Sequence, residues 1–173
     1  NGQIVFNSNT IGLGEMYLYD GVSVSRLTDD NYMDTAGYIN DDGDVVWSKF
    51  DGNDNELFYY DGTSVKQITD NDYSDFNPGN VFQIADNGYV AWRGYPTAGE
   101  NALFVYDGNS VEQIATNISS FDLNNNGQIV FNSNTIGLGE MYLANPNMVP
   151  EPASIVLFGL GTASLVFFRR RNS

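Results

Sequence analysis

The sequence repeats itself at intervals of roughly 40 residues. The phrase Gly-x-[Ile/Val]-[Val/Ala]-aromatic recurs at spacings of 41, 45 and 39 residues, and its glycines are Gly2, Gly43, Gly88 and Gly127. A second phrase, Tyr-Asp-Gly-x-Ser-Val, begins at Tyr19, Tyr60 and Tyr106. This period is that of one four-stranded blade of a β-propeller, so the repeats predict a row of similar small sheets.

Each period alternates strand-forming and turn-forming residues. One period predicts strands over 82–85, 89–92, 102–106 and 110–114, with Asn-Gly or Asp-Gly turns at Gly88 and Gly108. These dipeptides favour type I′ turns, because both central positions need positive φ. Before residue 150, Gly, Asn and Asp interrupt every long stretch and leave no helical period. The predicted fold class is therefore all-β, with about four strands per repeat; a solenoid or an open sandwich is the alternative architecture.

The composition excludes several kinds of chemistry. The chain has 22 Asp and Glu against 7 Lys and Arg, and neither His nor Cys. Its net charge of −15 argues against a nucleic-acid partner, because such binding depends on Lys and Arg at the phosphates. The lack of His and Cys excludes disulfides, thiol nucleophiles, imidazole bases and the usual zinc sites. The charge is divided, since residues 1–150 carry −17 and residues 151–173 carry +2.

An exact duplication marks the two ends of the repeat region. Residues 1–18 and 126–143 are identical at all 18 positions, which indicates a recent duplication of a three-repeat block. Counting strands gives about fourteen, short of the sixteen that four closed blades need. We therefore expect an incomplete propeller, in which the chain begins inside a repeat and earlier blades of a longer protein are absent.

The residue pattern of the second repeat resembles that of a known family. It runs through Asp42-Gly43-Asp44-Val45-Val46-Trp47, then 51–61, Gln67-Ile68-Thr69 and Asp75-Phe76-Asn77-Pro78. This pattern resembles the WD40-like repeat of TolB-type β-propellers, over residues 1–144. The sequence departs from that pattern by carrying the proline in one repeat only, at Pro78.

The last 29 residues differ from the repeats. A linker over 145–148 is followed by Val149-Pro150-Glu151-Pro152, then by 16 uncharged residues over 153–168, and then by Arg169, Arg170 and Arg171. As a helix the uncharged segment would extend about 24 Å, which is short for a bilayer but workable with snorkelling arginines. The arginines would stay on the cytoplasmic side, so the repeats would lie outside the cytoplasm.

This three-part segment, residues 149–173, resembles the PEP-CTERM sorting signal of Gram-negative bacteria. The resemblance implies recognition by a membrane-embedded exosortase, passage through the inner membrane, and cleavage near the Pro-Glu-Pro. It further implies display at the cell surface or in an extracellular matrix rich in exopolysaccharide, as in a biofilm. An ordinary single-span anchor is the alternative, but such anchors are usually nearer 20 residues long.

Carboxylates are the only plentiful reactive groups. Residues 51–56 and 70–75 each place several oxygen ligands in one loop, as Ca²⁺ prefers, although neither has the spacing of an EF-hand. Asp and Asn also fill turns by bonding their own backbone, and this structural interpretation is favoured. The sequence thus predicts no cofactor and no metal, and leaves low-affinity Ca²⁺ as an alternative.

Two sets of aromatic residues are candidates for ligand stacking. Phe6, Trp47, Trp92 and Phe131 follow the repeat glycine by four positions, and this periodic placement favours a core between blades. Tyr32 and Tyr73, in acidic loops, are better surface candidates. No pair of acids stands out for catalysis, so we expect no enzyme. The predicted function is an exported propeller that binds a glycan or a protein; the alternative is a secreted hydrolase that cleaves extracellular polysaccharide through Asp and Glu.

Overall fold

A computed structural model describes residues 2–8, 14–73, 75, 82–134, 140–145, 154–157 and 166–167. The described residues form sixteen β-strands in four antiparallel sheets. The strands are β1 (Ile4–Ser8), β2 (Glu15–Tyr19), β3 (Val24–Arg26), β4 (Asp34–Ile39), β5 (Val45–Phe50), β6 (Asn55–Tyr60), β7 (Val65–Gln67), β8 (Phe82–Ile84), β9 (Val90–Thr97), β10 (Glu100–Tyr106), β11 (Val111–Thr116), β12 (Ile118–Leu123), β13 (Ile129–Ser133), β14 (Glu140–Ala144), β15 (Ser154–Leu157) and β16 (Val166–Phe167).

Each sheet is a meander of strands that are consecutive in sequence. Sheet 1 contains β1 to β3, sheet 2 contains β4 to β7, sheet 3 contains β8 to β11, and sheet 4 contains β12 to β16. Up to Ala144 the described strands number fourteen, grouped as three, four, four and three, as the repeats predict. The first strands of sheets 2, 3 and 4 lie next to one another, as in the blades of a propeller.

The Tyr-Asp-Gly phrase forms the same four-residue connection in three sheets. Between β6 and β7, Asp61 Oδ1 accepts hydrogen bonds from the backbone N–H of Thr63 and Ser64, and the Tyr60 hydroxyl donates to the carbonyl of Gly62 at 2.8 Å. The connections after Tyr19 and Tyr106 repeat these bonds. Each repeated aspartate is therefore a structural residue of a turn.

The predicted type I′ geometry of these connections is wrong. Only the glycine has positive φ, +84° at Gly62, and Asp61 keeps a negative φ. The physical reason is that the Asp61 side chain caps two backbone N–H groups, and this stabilises a longer loop than the two-residue turn.

Three apolar clusters join neighbouring sheets. The first joins Met16 and Leu18 of β2 to Trp47 of β5, the second joins sheets 2 and 3 around Trp92, and the third joins sheets 3 and 4 around Phe131. The inner strands are buried on both faces, which explains why they read as continuous apolar runs. Each described sheet thus packs on the next one along the chain.

The duplicated sequence buries opposite faces in its two copies. In sheet 1, Met16 is completely buried and Ile4 is 55% exposed; in sheet 4, Ile129 is completely buried and Met141 is 55% exposed. The pairs are equivalent, because Ile129 repeats Ile4 and Met141 repeats Met16. The neighbouring sheet covers one face of sheet 1 and the opposite face of sheet 4. The position of each sheet in the row therefore decides which of its faces is buried.

The C-terminal segment was predicted to be an apolar helix over 153–168. The structure describes only Ser154–Leu157 and Val166–Phe167 of that range, as β15 and β16, and the rest of the predicted helix lies outside the described residues. β15 pairs with β14, with Leu157 opposite Tyr142, in the place that β3 takes beside β2. Among the described residues, no helix has the length and apolar character needed to cross a membrane.

Candidate functional site

A polar network lies inside the interface between sheets 1 and 2. The Trp47 indole N–H donates to Asp34 Oδ1 at 2.8 Å, and the Thr28 hydroxyl donates to Asp34 Oδ2. Thr28 Oγ1 in turn accepts the backbone N–H of Met16 at 2.9 Å. Burial raises the pKa of Asp34, and the hydrogen bonds from Thr28 and Trp47 oppose that rise. A buried carboxyl is thus held by two side-chain donors.

The same network recurs between sheets 2 and 3. The Trp92 indole N–H donates to Asp75 Oδ1 at 2.9 Å, and Thr69 Oγ1 accepts the backbone N–H of Leu57 at 2.8 Å. Asn71 adds a hydrogen bond of 2.7 Å to Asp75 Oδ2. Burial also raises the pKa of Asp75. The threonine and the aspartate lie 41 residues after their counterparts in the first network.

The third interface, between sheets 3 and 4, has apolar residues at the corresponding places. Phe131 stands for the tryptophan, Ile118 for the aspartate and Ala115 for the threonine, and all three are buried. In the sheet register Ile118 lies opposite Ser133, as Asp34 lies opposite Lys49. The backbone N–H of Ile118 donates to the side-chain Oδ1 of Asn101, whereas the backbone N–H of Asp75 donates to the carbonyl of Asn55. The threonine, aspartate and tryptophan occur together in two interfaces and are all replaced in the third. A buried carboxyl without its hydrogen-bond donors would cost free energy. We conclude that these networks serve packing between sheets.

Two fully buried glutamates accompany the networks and have different partners. Glu15, at the start of β2, forms an ion pair of 3.1 Å with Arg26 and faces the backbone N–H of Asp30 at 3.3 Å. Glu56, at the start of β6, accepts the backbone N–H of Asn71 at 3.1 Å through Oε1. Burial, together with the nearby carboxyls of Asp54 and Asp75, raises the pKa of Glu56 to about 8.

One of the two predicted acidic loops brings its carboxylates together. Oxygen atoms of Asp51, Asp54 and Glu56 lie within 4.8 Å of one another, and this is the one cluster of that kind among the described residues. The loop over 70–75 does not form such a cluster in its described part. Asp75 points instead to the Trp92 indole.

A cleft of about 200 Å³ opens beside Tyr73 at the interface of sheets 2 and 3. Its lining residues combine an aromatic ring, polar groups and apolar side chains: Ile68, Thr69, Asp70, Asn71, Tyr73, Asp75, Trp92 and Val111. The ring of Tyr73 stacks on Phe104 with centroids 6.3 Å apart, and burial raises the pKa of its hydroxyl to about 12. The hydroxyl therefore stays protonated at neutral pH and can donate a hydrogen bond.

Tyr32 is the counterpart of Tyr73 in the preceding repeat, 41 residues earlier. It lies against Phe50, with ring centroids 6.4 Å apart, and near the Lys49 ammonium, 5.9 Å from its ring centre. The cleft described above does not include it. The two tyrosines that the sequence predicts as surface candidates therefore occupy different surroundings.

Three of the four periodic aromatics, Trp47, Trp92 and Phe131, are core residues buried between sheets, as their position after the repeat glycine predicts. The same prediction is wrong for Phe6, which is 38% exposed, because it lies on the outer face of sheet 1, where no described sheet packs. Sequence reasoning did not single out Glu15 or the Thr–Asp pairs, and it included Glu56 and Asp75 only as members of the acidic loops 51–56 and 70–75. Their recurrence at a 41-residue spacing, from Glu15 to Glu56, is the signal that identifies them.

The predicted sorting residues lie outside the described part of the structure. They are Val149, Pro150, Glu151, Pro152, Arg169, Arg170 and Arg171. Residues 149–171 nevertheless match the PEP-CTERM protein-sorting motif. This match confirms the sequence-based expectation and indicates exosortase-dependent export with sorting at a membrane.

Comparison with known structures shows the fold. TolB from Acinetobacter baumannii aligns over 82% of this chain and 37% of its own length, at 19% identity and a TM-score of 0.52. A puromycin hydrolase mutant complexed with PGG aligns over 98% of this chain and 27% of its own, at 14% identity and a TM-score of 0.53. The chain thus spans well under half of either relative, and no curated protein matches it. It joins an all-β, propeller-type domain to a PEP-CTERM sorting motif.

Proposed function

We propose that this chain is a protein of the bacterial cell surface or extracellular matrix, whose propeller-type domain binds a glycan or a protein segment. The observation that carries the proposal is the PEP-CTERM motif at residues 149–171, joined to a domain with an aromatic cleft. An exosortase would recognise the motif while residues 153–168 occupy the inner membrane, and the domain would reach the outside of a Gram-negative cell.

The residues of the cleft suit a small polar ligand that can also stack on an aromatic ring. A volume of about 200 Å³ is below that of typical drug-sized pockets, so it suits one sugar ring or one side chain of a partner. The Tyr73 ring offers an apolar face, and Asp70 and Asn71 offer acceptors and donors for hydroxyl groups. The acidic charge of the domain favours neutral or cationic ligands over anionic ones.

A glycan array together with a pull-down from extracellular polysaccharide tests this proposal. We expect saturable binding that falls about fivefold in Tyr73→Ala, because a stacking contact contributes roughly 1 kcal/mol. Tyr32→Ala is the matched control, since it removes the equivalent side chain outside the cleft and should leave binding unchanged. Equal binding by wild type and Tyr73→Ala would reject the cleft as the binding site.

A hydrolysis assay on the same glycans separates this proposal from the hydrolase alternative. Glycosidases need two accessible carboxyl groups about the scissile bond. Asp75, the most buried acid of the cleft, accepts hydrogen bonds from Trp92 and Asn71, which is a structural arrangement. Turnover that disappears in Asp70→Asn would overturn the view that the domain only binds.

A further inference from the structure

The side chain of Glu56 combines full burial with incomplete hydrogen bonding. None of its surface is exposed, and its Oε1 accepts one backbone N–H, that of Asn71. Oε2 of Glu56 and Oδ1 of Asp54 are buried and accept no hydrogen bond from any described residue. An unsatisfied buried carboxylate oxygen is costly, so this pair of oxygens points to a missing cation or donor.

The equivalent glutamate of the first repeat shows what such a carboxylate requires. Glu15 has the guanidinium of Arg26 at 3.1 Å. Forty-one residues after Arg26 stands Gln67, which is neutral, so Glu56 lacks that cation. Lys49 lies opposite Glu56 in the sheet register but pairs with Asp30 instead.

The two repeats differ in a second, complementary way. Where the second repeat has Asp51 and Asp54, the first repeat has Thr10 and Leu13 in sequence. The repeat with the arginine therefore lacks the two aspartates, and the repeat with the aspartates lacks the arginine. This exchange adds negative charge beside the very glutamate that has lost its positive partner, and either a proton on Glu56 or an external cation offsets that charge.

We propose that Asp51, Asp54 and Glu56 bind one Ca²⁺ ion, which takes the place that the Arg26 guanidinium has beside Glu15. Their oxygens lie within 4.8 Å of one another, and two oxygens that share a Ca²⁺ at about 2.4 Å are at most about 4.8 Å apart. The three carboxylates are therefore close enough for one ion to contact all of them.

The loop that carries the aspartates is ordered by its own hydrogen bonds. Asp51 Oδ1 accepts the backbone N–H of Asn53 at 2.9 Å and that of Asp54 at 3.2 Å, while the Asp51 N–H donates to the Asp54 carbonyl at 3.0 Å. These bonds fix the two aspartates beside β6 before any ion arrives. Binding then costs little loop entropy.

Ca²⁺ fits this site better than Mg²⁺. Three carboxylates on a loop and a strand offer an irregular set of oxygens, which Ca²⁺ accepts together with water, whereas Mg²⁺ demands a near-octahedral set at shorter distances. Three protein ligands without the EF-hand loop predict a weak site, with a Kd between about 10⁻⁵ and 10⁻³ M. Such an affinity suits an exported domain in a medium that contains millimolar calcium.

The test uses the full chain, freed of metal with EDTA and titrated with CaCl₂ or MgCl₂ alone by calorimetry and thermal unfolding. We expect one saturable Ca²⁺ site, and a Tm rise of about 5 to 10 °C at a hundred times Kd. Asp54→Asn should weaken Ca²⁺ binding at least tenfold. Asp42→Asn, which removes the same charge from an exposed turn, should not change it.

A gain-of-function variant gives a second, independent test. Gln67→Arg restores the arginine of the first repeat, so it should raise the Tm of the metal-free chain and abolish most of its response to Ca²⁺. A Ca²⁺ response that persists unchanged in Gln67→Arg or in Asp54→Asn would overturn the proposal. So would the lack of any saturable response in wild type up to 10 mM CaCl₂, a concentration roughly ten times the weakest Kd expected.

Discussion

The duplicated segment allows the same substitution to be made twice in identical local sequence. Met16→Ala removes a completely buried side chain between sheets 1 and 2, whereas Met141→Ala removes one that is 55% exposed on the outer face of sheet 4. Helix and strand propensities, and the immediate neighbours in sequence, cancel in this comparison. The difference in unfolding free energy therefore reports packing against the adjoining sheet.

The expected magnitudes follow from burial. Truncation of a fully buried Met to Ala costs about 2–5 kcal/mol, so Met16→Ala should destabilise by that amount. A substitution on an open surface usually stays within about 0.5 kcal/mol, so Met141→Ala should be nearly neutral. The isoleucines should reverse the order: Ile129→Ala, in the core, should cost about 2–5 kcal/mol, and Ile4→Ala about 1 kcal/mol or less.

Urea denaturation of the four variants, followed by tryptophan fluorescence and far-UV circular dichroism, measures these values. If the sheets pack in the order described, the methionine substitution should lower the unfolding free energy in the first copy only, and the isoleucine substitution mainly in the second. Equal costs for Met16→Ala and Met141→Ala would refute the order of sheets described above. Protein concentration should be varied, because a concentration-dependent midpoint would show that association covers the outer faces.

Three further predictions concern hydrogen bonds and ionisation. Trp92→Phe should lower the unfolding free energy by about 1.5–3 kcal/mol, because it removes a hydrogen-bond donor to buried Asp75. Adding Asp75→Ile should recover much of that loss. Additive losses of the two substitutions on urea denaturation would contradict the coupling between these residues. Burial raises the pKa of Asp34, so the folded chain binds this proton more tightly than the unfolded chain does. The contribution of Asp34 to stability is therefore complete below its unfolded-state pKa and is lost as pH rises through its folded-state pKa. The stability of wild type relative to Asp34→Asn should therefore decline above about pH 4, and a constant difference across pH 3–7 would count against it. Tyr60→Phe should cost about 0.5–1 kcal/mol in the same denaturation assay through the lost bond to the Gly62 carbonyl, and an unchanged midpoint would be the contrary result.

Periodicity was sufficient to predict the strands and their grouping. The spacing from Gly43 to Gly88 and the Tyr-Asp-Gly phrase predict four strands per repeat, because turn residues must recur wherever a meander reverses. The prediction that Trp47 and Trp92 are core residues is also confirmed, since a strand between two sheets needs large apolar side chains on both faces.

Tertiary contacts were harder to predict from the sequence. That Trp47 bonds Asp34, 13 residues away, depends on a loop path that the repeat pattern does not specify. The face that each duplicate buries also cannot be read locally, because Ile4 and Ile129 have the same sequence neighbours and differ only in which sheet adjoins them. The loop of Asp61 was predicted with the wrong turn type, because the capping capacity of its carboxylate outweighed the Asp-Gly hairpin preference.

The central claim, that the domain is exported and sorted through its C-terminal motif, is tested most directly by intact mass spectrometry. The chain is expressed behind an export signal in an exosortase-positive Gram-negative host, in wild-type form and with Pro150→Ala and Pro152→Ala combined. We expect wild type to lose its C-terminal segment by cleavage near residues 149–152, and the double variant to keep it while its domain gives an unchanged circular dichroism spectrum. The same processing state in wild type and double variant, with both cleaved or both intact, would contradict this claim.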